Sequence, residues 1–180
     1  NKLDFILRFS FGIIRGEILN AAKYGVWSFH HGNEKEYRGG PPGFWEIYEN
    51  NPLTGAVLQK LGEKLDSGII LKRGFFKTKN NYIKNRDQIY LESSKWPLQI
   101  VKNILHGNEE LFKQEYSKTN APIYHLPGNI TFIWFFINCF LQKLKSFYRE
   151  FFYIDVWNFG VWEEPIHNSL HKTIKNIIWY

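Results

Sequence analysis

The sequence predicts an α/β fold, a twisted and mostly parallel sheet flanked by helices, and three observations predict it. Short apolar runs of strand length alternate with segments of helical period along roughly the first hundred residues. Glycine, asparagine and proline gather between them, at Gly25 and again from His30 to Pro42, where a chain must turn. A hydrophobic content of 44% over 180 residues is enough for one domain with a core of its own plus part of another, and argues against disorder.

Each element follows from its local pattern. Leu3 to Phe9 is short, apolar and followed by a turn at Gly12, as a buried strand would be. Glu17 to Tyr24 has helix formers at apolar spacing and stops at Gly25, a residue suited to the position after a helix. Val26 to Phe29 is a second strand and His30 to Pro42 a loop. Phe44 to Glu49 is a short helix whose Phe44, Trp45 and Tyr48 form a sticky inner face. Thr54 to Leu61 and Ile69 to Phe76 are further strands around the turn Gly62 to Gly68, and Tyr82 to Leu105 is one or two helices broken near Pro97. The domain is expected to close around Gly107, giving residues 1–107 as the main domain, 108–153 as linker and amphipathic helix, and 154–180 as the start of a second domain. The helix is expected over Ile130 to Phe152. Its apolar half, Ile130 to Leu141, is about a dozen residues, short of the roughly 20 that span a bilayer, so no transmembrane segment is expected.

The formal net charge of +6 raises the possibility of nucleic acid or an anionic surface as a partner. The cations are scattered from Lys72 to Arg86, and Lys143, Lys145 and Arg149 sit at the spacing of a solvated helix face, so no nucleic-acid partner is expected. The lone Cys139 cannot form an intrachain disulfide, and no cysteine and histidine cluster has zinc-site spacing. His167 and His171 lie one helical turn apart without a third ligand at a recognisable spacing, so no metal is expected. The chain starts at Asn1, contains no Met and opens straight into an apolar run, as a sequence does when cut inside a fold.

The most informative stretch is Gly25 to Leu71. It contains Gly25-Val26-Trp27-Ser28-Phe29-His30-His31-Gly32, then Tyr37-Arg38-Gly39-Gly40-Pro41-Pro42, Leu53-Thr54-Gly55 and Leu65-Asp66-Ser67-Gly68. Together, in this order and at these intervals, they resemble the 10-formyltetrahydrofolate-dependent formyltransferase family, which includes methionyl-tRNA, amino-sugar and glycinamide ribonucleotide formyltransferases. The resemblance reaches back to Leu3 and covers about the first hundred residues. It implies a formyltransferase-like, Rossmann-type sheet from which the first strands, normally upstream of Leu3, are missing.

The resemblance also implies a chemistry and a set of residues. Moving a formyl group from folate to an amine develops an oxyanion that needs donors already in place, and a proton must travel from the amine to the departing nitrogen. His30 would donate to the oxyanion and share the proton traffic, and Asp66 would sit across the pocket mouth and help order a water or the incoming amine. Ser28 stands where the family has a catalytic Asn. A hydroxyl is shorter than an amide arm and rotates, so either Ser28 has taken over, another group substitutes, or catalysis is lost. The folate would be lined by Phe11, Gly12, Ile13 and Ile14 and by Glu63, Lys64 and Leu65. Arg38, Gly39, Gly40, Trp45 and Thr54 would meet the acceptor. The plain structural alternatives are a His30 that caps a backbone carbonyl and an Arg38 that merely holds its loop.

The leading expectation is therefore formyl transfer from 10-formyltetrahydrofolate as co-substrate to a primary amine, that of a free or nucleotide-linked amino sugar, in the cytoplasm. The alternatives are a non-catalytic domain that binds a ligand or organises a glycan-modifying protein, and a hydrolase of formyltetrahydrofolate in which water replaces the amine.

Overall fold

The computed structural model describes residues 2–9, 12–63, 68–114 and 116–157. The chain divides into two units, Asn1–His125 and Leu126–Tyr180. In the first, the elements run β1 (Ile6–Arg8), a 3₁₀ turn (Glu17–Asn20), β2 (Val26–His30), β3 (Arg38–Gly39), α1 (Phe44–Tyr48), β4 (Leu53–Lys60), β5 (Ile69–Lys77), α2 (Tyr82–Ser93), α3 (Trp96–Leu105), a second 3₁₀ turn (Glu110–Lys113) and β6 (Ile123–Tyr124). The described part of the second unit contains the helix α4 (Asn129–Trp157), over the segment where the sequence predicts one. Among the described residues no helix is long and apolar enough to cross a membrane. His167, His171 and nearly all of the expected second domain lie outside the described residues.

The main sheet has the order β1-β2-β4-β5. β1 and β2 are parallel, whereas β2 with β4 and β4 with β5 are antiparallel. The fold class is the expected α/β, and the sheet within it is mixed rather than mostly parallel. Connection length explains the difference. The short turn between β4 and β5 returns the chain alongside itself in the opposite direction, while a parallel pair needs a crossover such as residues 9–25. A second, two-stranded sheet pairs β3 with β6 in parallel.

One face of the main sheet buries Trp27, Leu58, Ile69 and Leu71 against Trp96 and Ile100 of α3. Complete burial of each large side chain contributes about 1.5–3 kcal/mol. Phe5 stacks on Trp27 with ring centroids 4.3 Å apart. The first unit continues past Gly107 to His125: Phe112 packs on Tyr24 at 5.0 Å, and β6 pairs with β3.

One helix expectation fails and another holds. Glu17 to Tyr24 yields only the 3₁₀ turn, because Gly16 at its N-cap offers no side-chain oxygen and so short a segment does not recover the cost of nucleation. Tyr82 to Leu105 becomes two helices. Asn81 caps the first by accepting the Lys84 N–H at 2.9 Å, and Pro97 occupies the first turn of the second, where a missing N–H breaks no helical bond.

The helices are tied to the sheet by a buried polar network. The Asn85 amide donates to Gly43 O at 3.1 Å and to Thr54 Oγ1 at 3.0 Å, and its oxygen accepts from Lys79 N–H at 3.0 Å. Thr54 shares a further hydrogen bond with Thr78, 2.9 Å away, and is fully buried. Asn85→Ala leaves several of these groups unpaired, and is expected to lower stability by about 3 kcal/mol in denaturant unfolding while leaving the strand register unchanged.

Candidate active site

The alternation of side chains along a strand decides what gathers at the end of β2. Arg8 of β1 lies opposite Ser28 of β2, and Ser28 opposite Gln59 of β4, so the three form a row across the sheet. His30 follows Ser28 by two positions, on the same face. All four line a cavity of about 280 Å³, together with Ile13, Ile14, Phe29, Gly39, Leu61, Gly62, Glu63 and Ile123.

Ser28 is 3% exposed, and its Oγ accepts a hydrogen bond from Arg8 Nη1 at 2.9 Å. Arg8 Nη2 donates to Gly12 O at 3.0 Å. His30 Nε2 lies 2.7 Å from Tyr37 O. A carbonyl only accepts, so the proton of that bond sits on Nε2, and in the neutral ring Nδ1 keeps its lone pair. The histidine does hold a carbonyl, as the plain alternative envisages, and it lines the cavity as well.

Gly32 explains how the loop closes on His30. A Cβ at this position would lie 2.9 Å from Tyr37 O and 3.0 Å from His30 Nε2. His31, next in sequence, faces the other way. Its Nε2 is 3.2 Å from Ser93 Oγ, its ring stacks on Phe29 at 5.5 Å, and burial, aided by the neighbouring His30, lowers its pKa to about 4. The ring is neutral at physiological pH and belongs to the packing between β2 and α2.

The remaining sequence-predicted residues divide clearly. Ile13, Ile14, Gly39 and Glu63 line the cavity. Gly12 anchors Arg8. Arg38, Gly40 and Trp45 brace the wall instead: Arg38 Nη1 donates to Ala121 O at 3.2 Å, Gly40 N–H to Tyr124 O at 3.2 Å, and Trp45 Nε1 to Gly40 O at 3.1 Å. Gly39, at φ 84°, lets β6 approach, since a Cβ there would meet Tyr124 O at 2.1 Å. Thr54 sits in the Asn85 network and does not line the cavity. Asp66, Phe11, Lys64 and Leu65 lie outside the described residues. Arg8, Phe29, Gln59, Leu61, Gly62 and Ile123 are the lining residues that the sequence reading missed. Arg8 and Gln59 carried a signal, each being a polar side chain inside an otherwise apolar strand.

Behind the wall, Glu49 accepts hydrogen bonds from Tyr37 OH at 2.9 Å and Tyr124 OH at 2.7 Å. Nearby Glu46 is 2% exposed and its Oε1 has no hydrogen-bond partner. Burial, with the charges of Glu49 and Glu36, pushes its pKa up to about 7. Among the described residues no group of three or more histidine, cysteine or carboxylate side chains is placed to hold a metal ion.

Two predictions follow from this geometry. Gly32→Ala forces the loop away from His30, and should abolish the slowly exchanging His30 Nε2–H signal in NMR spectra while changing the melting temperature little. For Glu46, the folded state keeps its proton to higher pH than the unfolded chain, whose carboxyl titrates near 4.5. Its contribution to stability is therefore full below about 4.5 and is lost as pH rises through about 7. Glu46→Gln should match the wild type at pH 4 and exceed it by about 2 kcal/mol at pH 8, read as the difference between the two unfolding curves.

No protein-family model matches the chain. A methionyl-tRNA formyltransferase of Bacillus velezensis is 30% identical over 125 residues, which is 67% of this chain and 39% of that protein. The corresponding protein of Bacillus thuringiensis is 42% identical over 69 residues, 38% of this chain and 22% of that protein. The chain thus spans less than half the length of these relatives. Among solved structures, HypX from Aquifex aeolicus in complex with tetrahydrofolic acid matches with a TM-score of 0.54 at 18% identity, over 71% of this chain and 22% of HypX, a likeness of fold.

Proposed function

Because the chain belongs to the formyltransferase family, we propose that the cavity at the ends of β1 and β2 is the site of formyl transfer from 10-formyltetrahydrofolate to a primary amine. The observation that carries this reading is that Ser28, His30, Ile13, Ile14 and Glu63, chosen from the motif alone, line one cavity. The cavity suits the reacting end of a folate. Ile13, Ile14 and Leu61 offer apolar contact to a flat heterocycle, and His30, Gln59 and Glu63 offer polar edges. The donor supplies the formyl carbon. A C–N bond to the amine forms, the C–N bond to the folate nitrogen breaks, and one proton passes from the amine to that nitrogen.

Within this scheme His30 acts through Nδ1. Its Nε2–H is held by Tyr37 O, so the ring orientation is set, and Nδ1 takes the amine proton and then, as N–H, faces the negative oxygen or the leaving nitrogen. Asp66, from the turn after Gly62, completes the pair by ordering the amine. The acceptor we favour is an amino sugar, because the Tyr37-Arg38-Gly39 run resembles that of the sugar and tRNA branches of the family. A cytoplasmic location goes with a folate-dependent reaction and a chain with a single cysteine.

The test is to incubate the protein with 10-formyltetrahydrofolate, alone and with a panel that includes nucleotide-linked amino sugars and methionyl-tRNA. Amine-dependent release of tetrahydrofolate is expected, and His30→Ala and Asp66→Ala should each lower kcat by about 10²- to 10⁴-fold. Release without any amine identifies a hydrolase, and near-native turnover in either variant overturns the assignment.

A further inference from the structure

The cavity holds a serine where oxyanion chemistry calls for a fixed donor, and the neighbouring strand supplies a cation directly against it. We propose that Arg8 is a positioning residue that makes the Ser28 hydroxyl the oxyanion donor of this site. The inference rests on the formyl-transfer reading and concerns how that reaction is stabilised.

A serine Oγ has one proton to donate and lone pairs to accept with. Here Arg8 Nη1 donates into a lone pair at 2.9 Å, which commits the serine to use its proton elsewhere. The protein acceptor in reach is Phe29 O at 3.4 Å, well beyond the 2.7–2.8 Å usual for an O–H···O bond. That long bond is readily exchanged for one to an anionic oxygen in the cavity that Ser28 lines. A hydroxyl that accepts from a cation is also a stronger donor than an isolated one, since each hydrogen bond polarises the next.

The pair is held rather than adventitious. Arg8 and Ser28 are register partners in the parallel β1–β2 pairing, and Arg8 Nη2 is tied to Gly12 O at 3.0 Å on the loop leaving β1. Ser28 itself is buried, so the guanidinium acts on it with little competition from water. His30 Nδ1 takes the proton traffic, and the Arg8–Ser28 unit holds the oxygen. This division explains how a site without an amide side chain at position 28 keeps a directed donor.

Turnover and KM for 10-formyltetrahydrofolate measured in wild type, Arg8→Gln, Ser28→Ala, the double variant, and Arg8→Gln with Ser28→Asn test the proposal, with thermal unfolding as the control for folding. Either single change should lower kcat by about 10²-fold with KM unchanged, as loss of one oxyanion donor does. The double variant should lose no more than the singles, because the two residues act as a unit. Ser28→Asn should restore turnover to the Arg8→Gln chain by bringing its own donor. An unaltered kcat in Arg8→Gln, or losses that multiply in the double variant, overturns the inference and leaves formyl transfer standing. A wild type that releases no tetrahydrofolate overturns both. Should Arg8→Gln not fold, Ser28→Ala against Ser28→Asn decides: equal losses in both sink the idea of a donor at position 28.

Discussion

The pairing of β2 with a parallel neighbour on one side and an antiparallel neighbour on the other is the constraint from which the site follows. It sets Arg8, Ser28 and Gln59 side by side and leaves His30 on the same face. Because the side-chain period of a strand is two, a slip of one residue would turn Ser28 and His30 toward the core. Trp27 resists such a slip: it is fully buried on the opposite face, stacked on Phe5 and packed within the cluster that includes Leu58 and Trp96. The apolar face therefore enforces the polar one.

The second constraint is the loop that leaves β2. Its first turn is drawn back so that Tyr37 O meets His30, which requires the small Gly32, and its return is locked to β6 through Gly39 and Gly40. Tyr37 and Tyr124 both donate to Glu49, so one carboxylate holds the loop and the 121–124 segment together. Burial pushes the Tyr124 hydroxyl up to about 12 and raises that of Tyr37, and both remain donors across the physiological range. The wall of the cavity is thus built from residues far apart in sequence that carry no chemistry of their own.

The relatives add weight at a particular level. Over 125 residues the identity to a formyltransferase is 30%, enough for family membership, yet the aligned part is 39% of that protein. The departure at Ser28 is best understood through its surroundings, since the neighbouring arginine changes what a serine can do.

The sequence by itself determined the order of β1, β2, β4 and β5 and of the helices between and after them, the α/β class, the family and the cavity-lining residues His30, Ser28, Ile13, Ile14, Gly39 and Glu63, because local period, turn residues and motif intervals are properties of neighbours along the chain. Tertiary structure alone decided that two of the three strand pairings of the main sheet are antiparallel, since direction depends on how strands meet in space and not on their composition. It placed Thr54 in a buried network rather than in the cavity, and it turned Arg38 and Trp45 into braces. It brought Arg8 from an apolar strand twenty residues upstream onto Ser28. A hydrogen bond at such separation has no signature in sequence; it exists only because a buried core fixed the register of the strands that carry its two ends.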